Sequence, residues 1–248
     1  MRFLLPLTLA ALAAAAPAPE PSRILGRALS TAQTLAHDDV IMYGINGEYK
    51  IIKDHEFDHL TSTGVLKYGG GEELHTRDTA PAISARDCPG RSNEFTVTST
   101  QDFLDWDVQM SAVIGAQQAV ASISVAHGYQ ISNSVEVTRG LEAEVEGIGA
   151  SLQISVTQTW STIDTTTITY VVPLGQNGVI VSQPWTHRVY GDIYTTCDES
   201  NWSKSGGFMA SKHTSESYGN MNWVTGVIRL CANQAYPIPY CNGQGYHH

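Results

Sequence analysis

In the C-terminal two-thirds of the chain, apolar and polar residues take turns. Val135, Val137, Leu141, Ala143 and Val145 alternate with Glu136, Thr138, Gly140, Glu142, Glu144 and Glu146, and Arg139 is the one polar break on the apolar side. A period of two puts successive side chains on opposite faces, as in a half-buried strand. Gly147-Ile148-Gly149 then reads as a turn, and Leu152, Ile154 and Val156 alternate with Ser151, Gln153, Ser155 and Thr157. The pattern predicts a long amphipathic antiparallel hairpin, Ser/Thr-rich over 134–170. Further strands are expected at 168–172, 179–181, 95–100, 119–125, 188–195 and 223–230, with a turn at 173–178. β-Branched residues, even spacing and polar turns predict a mainly β domain, an antiparallel β-sandwich or elongated twisted sheet.

Residues 19–87 have a different texture. Val40 to Tyr43, the Gly44-Ile45-Asn46-Gly47 turn and Tyr49 to Ile52 predict a hairpin, followed by a short helix over 54–60. Gly69-Gly70-Gly71 and the run 76–86 read as linker. The expected organisation is a segment 1–18, a small irregular or α+β N-terminal region 19–87, and a disulfide-bonded β domain 88–248. The middle region reads equally as a propeptide or as a loosely attached module.

The first 18 residues explain the cysteine usage. Arg2, the apolar stretch Phe3 to Leu12 and the small residues Ala13 to Ala16 have the order of a cleavable secretory signal, too short for a spanning helix. Export predicts an extracellular protein, with delivery into a host as the finer expectation. The four cysteines, Cys88, Cys197, Cys231 and Cys241, then imply two disulfides with three connectivities. The pairing favoured here is Cys231–Cys241 closing a short loop and Cys88–Cys197 a long one, each contributing on the order of 3–5 kcal/mol. No CxxC pair exists to suggest zinc. Asn201-Trp202-Ser203 is the sole N-glycosylation sequon. With net charge −10 and 14 Lys plus Arg, the chain has no basic footprint for nucleic acid.

Candidate chemistry is sparse. His55-Glu56-Phe57-Asp58-His59 matches HExxH, in which two histidines at i and i+4 hold zinc and the glutamate acts as general base. The segment is short and acidic, and no third ligand follows at a recognisable spacing, so a solvated helix face is the favoured reading. Asp102, Asp105 and Asp107 around Phe103 and Trp106 suggest either a calcium-type cluster or, preferably, a turn with packed aromatics. The Glu142, Glu144 and Glu146 row reads as a solvated strand face. GxSxG is absent, and no catalytic residue or cofactor is assigned. Trp185, Trp202 and Tyr218 are aromatic candidates for contact with a glycan or protein, each more simply a core residue. The 134–170 hairpin also fits a β-pore-forming toxin, although Arg139 on a lipid face would cost about 2–4 kcal/mol.

Several stretches carry a resemblance: Phe103-Leu104-Asp105-Trp106-Asp107-Val108, Ser132-Asn133-Ser134, Tyr170-Val171-Val172-Pro173 with Gly178-Val179-Ile180-Val181-Ser182, Trp223 to Cys231, and Tyr236-Pro237-Ile238-Pro239 before Cys241. Together they resemble the "celp" effector-like small secreted proteins of plant-associated ascomycete fungi over about two-thirds of the chain. The resemblance implies an exported, cysteine-paired virulence protein acting on a host protein, glycan or membrane component, without catalysis. Those proteins carry a dibasic pair before the first cysteine, where this chain has Ser84-Ala85-Arg86-Asp87, and they lack HExxH. A looser similarity links the Ser/Thr-rich segment to aerolysin-type sheets. The leading expectation is a secreted effector-like binding protein; a pore-forming toxin and a zinc metallopeptidase through His55, Glu56 and His59 are the alternatives.

Overall fold

The computed structural model describes residues 27–28, 33–71, 74, 88, 91–163, 165–198, 200–218 and 221–248. The signal-like segment 1–18 and the run 76–86 lie outside them. The fold is mainly β, with several antiparallel sheets and two short α-helices. In chain order the body is built from β1 (Gln33–Leu35), β2 (Asp39–Ile45), β3 (Glu48–Lys53), α1 (Asp54–Ser62), β4 (Ser92–Leu104), β5 (Ala121–Val125), β6 (Ser134–Val137), α2 (Val145–Ser151), β7 (Thr165–Val172), β8 (Asn177–Thr196), β9 (Ser203–His213) and β10 (Gly226–Asn233).

Strand β8 organises the molecule. Its 20 residues span roughly 65 Å at about 3.3 Å each. Residues 177–184 lie between β10 on one side and the short strands Val108–Gln109 and Ile114–Gly115 on the other. Residues 185–196 lie between β4 and β9. Partners on both sides change at Pro184, whose missing N–H cannot continue a ladder. The neighbouring groups are satisfied locally: Trp185 N–H donates to the Thr225 carbonyl at 2.8 Å, and Asp105 N–H to the Pro184 carbonyl at 2.9 Å. Opposite Pro184 sits Gly226 at φ +157°, where a Cβ would stand 2.3 Å from the Gln183 carbonyl oxygen. Only glycine fits that junction.

Through β8 the large sheet runs in the order β3–β2–β10–β8–β9–β6. Its first half packs against a second sheet, β1–β7–β5, in which β7 is parallel to β1 and antiparallel to β5. The interior of this sandwich holds Ile41, Tyr43, Ile123, Tyr170, Ile180, Trp223 and Ile228. The polar tips of its aromatics are satisfied: Tyr43 OH donates to the Met221 carbonyl, Tyr170 OH to the Ile228 carbonyl (3.1 Å each), and Trp223 Nε1–H to Ser182 Oγ at 3.0 Å. The predicted β2–β3 hairpin is present, and β2 pairs with β10 from Val40↔Arg229 to Tyr43↔Gly226. Residues 39–71 therefore belong to the β body and are not a loosely attached module. The triple glycine is likewise no linker. Lys67 and Gly69 bond along the end of β4, and added Cβ atoms would meet the Phe103 ring at Gly69 (2.5 Å) and the Trp106 ring at Gly71 (2.0 Å).

The expected long amphipathic hairpin over 134–170 is replaced. Residues 134–137 form a strand paired to β9, a 3-10 turn at 142–144 leads into α2, the strand Thr159–Ser161 pairs with Gln130–Ser132 in a separate two-stranded ribbon, and β7 belongs to the second sheet. The sequence carried both periods: Leu141, Val145, Ile148 and Leu152 are spaced four, three and four, which is one face of a helix. Gly140 at φ +93° turns the chain after β6, and α2 then makes its own backbone hydrogen bonds without needing a partner strand. Leu141, Ile148 and Ile154 cover the second half of the large sheet, packing with Val189, Ile193 and Phe208. The glutamates consequently ride helical turns and not a strand face. Glu142 accepts Gly140 N–H at 3.0 Å, and Glu144 pairs with Arg91 at 3.3 Å.

Cysteines 88 and 197, and 231 and 241, form the two favoured pairs. The junction at Pro184 makes a steric prediction. Gly226→Ala should destabilise the chain by about 3 kcal/mol in urea unfolding, because the added methyl collides with backbone. Gly47→Ala, at φ +72° in open space, should cost about 1 kcal/mol. Equal losses at the two positions would contradict the junction described.

Candidate binding cleft

On the sheet face turned away from the sandwich interior, β2 presents Val40 and Met42, β3 presents Lys50 and Ile52, and β10 presents Val227 and Arg229, in register. Helix α1 lies on this face. Its nine residues are only about 13 Å long, so it covers part of it. Phe57, Leu60 and Leu66 bury Val40, Ile52, Leu104 and Val227. Asp54, in the first turn, pairs with Arg229 at 2.9 Å, and the Arg229 guanidinium sits 5.4 Å from the Phe57 ring centre.

The uncovered part of the face forms a cleft of about 410 Å³. Met42, Lys50 and Ile52 make its floor; Leu60, Val65 and Leu66 make one wall; Trp185, Thr214 and Thr225 make the other. The β2–β3 turn, residues 44–48, closes one end. Val65 is 66% exposed, and Met42, Ile45 and Trp185 are half-buried, so apolar surface faces water here. Its polar side chains are Asn46, the Lys50–Glu48 ion pair, and the Thr214 and Thr225 hydroxyls bonded to each other at 2.8 Å. An apolar cavity of this size with a few polar groups suits a compact apolar or amphipathic ligand. Each Å² of apolar surface it covers would contribute roughly 25 cal/mol.

Of the aromatic candidates, Trp185 lines the cleft, Tyr218 packs on Tyr49 with ring centres 4.9 Å apart, and Trp202 is exposed near Asn201. The remaining lining residues went unnoticed in the sequence. They come from separated segments, and nothing in local periodicity marks Met42, Val65 or Thr225 as neighbours.

The HExxH residues fall on α1 as predicted, but the helix uses them differently. Phe57 is buried, while His55 and His59 are exposed. The Glu56 carboxylate accepts the Lys53 N–H at 2.8 Å and so caps the helix, occupying the group a peptidase would need as base. Among the described residues, no set of three metal-ligand side chains includes either histidine.

The three aspartates do not converge either. Asp102 pairs with His187 on the surface at 2.8 Å. Asp105 pairs with buried Arg188 at 2.7 Å, and that guanidinium lies 4.8 Å from the Phe103 ring centre. Asp107 is a buried acceptor hub: Oδ1 takes Gln183 Nε2 (2.9 Å) and Asn242 N (3.1 Å), and Oδ2 takes Cys241 N (2.6 Å) and lies 3.3 Å from His247 Nε2. It anchors the C-terminal segment to the large sheet. Asn201 is exposed in the loop between β8 and β9, its Nδ2 donating to Asp198 Oδ2 at 2.6 Å. That bond and the Asn201 and Ser200 N–H groups hold Asp198 well below the usual carboxylate range.

Next to Trp185 on β8, Thr186 turns inward to His213 on β9. Thr186 Oγ1 lies 3.4 Å from the Pro184 carbonyl and 3.1 Å from His213 Nε2. When the hydroxyl donates to the carbonyl, its oxygen accepts the Nε2–H. Among the described residues, His213 Nδ1 is buried without a hydrogen-bond partner. Burial pushes this imidazole down to about 4; Arg188 adds to the effect and Asp105 opposes it.

Comparison with known protein families, curated proteins and solved structures returns no match. What the fold and the cleft define is a class: a mainly β, disulfide-linked protein with an apolar surface cleft.

The His213 environment fixes a pH dependence. The folded chain keeps the ring neutral down to about pH 4, whereas the unfolded chain protonates it near the ordinary 6.5. Between those values the unfolded state binds more protons, so stability present above 6.5 is lost as pH falls, by up to about 3 kcal/mol. Urea unfolding from pH 7 to pH 4 should show His213→Gln losing correspondingly less than the parent chain. Identical pH slopes would contradict this assignment.

Proposed function

We propose that the protein is an exported, effector-like binding protein that acts without catalysis, holding a compact apolar or amphipathic group of an extracellular or host target in the Trp185 cleft. The observation that carries this reading is the gap left by α1, a 410 Å³ cleft around Met42, Val65 and Trp185. Disulfides seldom persist in a reducing cytosol, and the order of residues 1–18 supplies an export route that permits the two found here. The cleft floor and one wall come from residues 42–66, so the reading requires the mature protein to keep them. Resemblance to fungal effector-like proteins supports a host as the place of action. The membrane-inserting alternative rested on a continuous amphipathic hairpin, and residues 134–170 are instead divided among a short strand of the large sheet, a helix, a two-stranded ribbon and a second sheet.

Titrating the full disulfide-bonded chain with 1-anilinonaphthalene-8-sulfonate at neutral pH tests the cleft. One saturable site should appear, weakened about tenfold or more by Trp185→Ala, a loss of about 1.4 kcal/mol. Met42→Glu should weaken it similarly. No binding by the native chain, or binding indifferent to both substitutions, would sink the reading.

A further inference from the structure

The C-terminal corner assembles more ligand chemistry than its disulfide needs. The Asp107 carboxylate, the His247 imidazole and Cys231 Sγ lie with their donor atoms within 4.8 Å of one another, and all three residues are buried. Cys241 Sγ is bonded to Cys231 Sγ but lies outside that set of mutually close atoms. These residues come from the segment before Val108, from β10, from the loop beyond Pro239 and from the strand Tyr246–His247. Asp107 divides its oxygens. Oδ1 is held by Gln183 and Asn242, while Oδ2 accepts the Cys241 N–H and faces His247. Val179, Val181 and Ile238 pack around Cys231.

While the sulfur–sulfur bond is intact, neither sulfur is a thiolate and a metal gains no ligand from them. The geometry points to a second state of this corner: once Cys231–Cys241 is reduced, the two cysteines, His247 and Asp107 form a zinc site that replaces the disulfide as the clamp on the C-terminal segment. Two thiols of the glutathione class supply two electrons and two protons, becoming a disulfide themselves and leaving Cys231 and Cys241 as thiols. Zinc then displaces both thiol protons to solvent. His247 offers the Nε2 lone pair, with its ring proton on Nδ1, and Asp107 offers Oδ2. Two sulfurs, one nitrogen and one oxygen satisfy the tetrahedral preference of zinc, and a closed set of four protein ligands is structural, with no open position for chemistry. Cys241 is exposed, which gives the reductant an approach. The protein would thus keep its C-terminal clamp on moving from an oxidising to a reducing compartment.

The test uses the full chain carrying Cys88→Ser and Cys197→Ser, so that one cysteine pair remains. Oxidised and phosphine-reduced samples (the phosphine taking oxygen from water as it opens the disulfide) are incubated with zinc, desalted and analysed for metal. About one zinc per reduced chain and none per oxidised chain is expected, with His247→Gln lowering affinity by about tenfold or more. Cobalt in place of zinc should give a thiolate charge-transfer band and tetrahedral ligand-field bands. Should the doubly substituted chain fail to fold, the cobalt spectrum is read on the reduced parent chain against Cys231→Ser/Cys241→Ser. Loss of the bands in that control supports the site. Retention of the bands there, no metal in the reduced chain, or indifference to His247→Gln overturns it.

Discussion

The structure depends on one strand shared between two half-sheets. β8 belongs to both, and the exchange of partners at Pro184 lets a continuous backbone serve two packing environments. In its first half Ile180 faces the sandwich interior and Val179 and Val181 face the C-terminal corner; in its second half Val189 and Ile193 face α2. A proline in a strand interior is ordinarily a defect. Here it falls where no ladder bond is required, and Gly226 gives the crossing chain room.

The cleft is a consequence of that arrangement. β10 lies against β8 on one side and β2 on the other, which carries the N-terminal hairpin into the large sheet and places α1 over its outer face. Because α1 is short, the outer face is covered only in part, and Trp185, the first residue beyond the junction, stands across the gap. The C-terminal corner lies beside the first half of the same strand, where Asp107 ties Gln183 to the segment after Cys241. Both features thus sit next to the partner exchange.

Much of the fold was legible in the sequence. The mainly β class, the hairpin around Gly44 to Gly47, the short helix after Lys53 and the strand at 188–195 all follow from period and turn chemistry. The misreading at 141–151 has a clear cause: the segment satisfied periods of two and of 3.6 at once, and only tertiary packing of Ile148 chose between them. Gly69 to Gly71 looked like a linker because the Phe103 and Trp106 rings they press against lie more than thirty residues away. The HExxH match was real as a helix, on which Glu56 caps the first turn and both histidines face solvent. The cleft was invisible because its residues meet only through strand pairing, and Trp185 alone had been marked as a candidate.

Amide hydrogen exchange on the intact chain tests the shared-strand claim most directly. If β8 unites the molecule, amides of β2 at 40–43, of β10 at 227–231 and of β8 on both sides of Pro184 should exchange together in the slowest class. Rapid exchange of the β2 amides while the second half of β8 stays protected would mean that the N-terminal hairpin opens on its own, and the account of one body with a built-in cleft would fail.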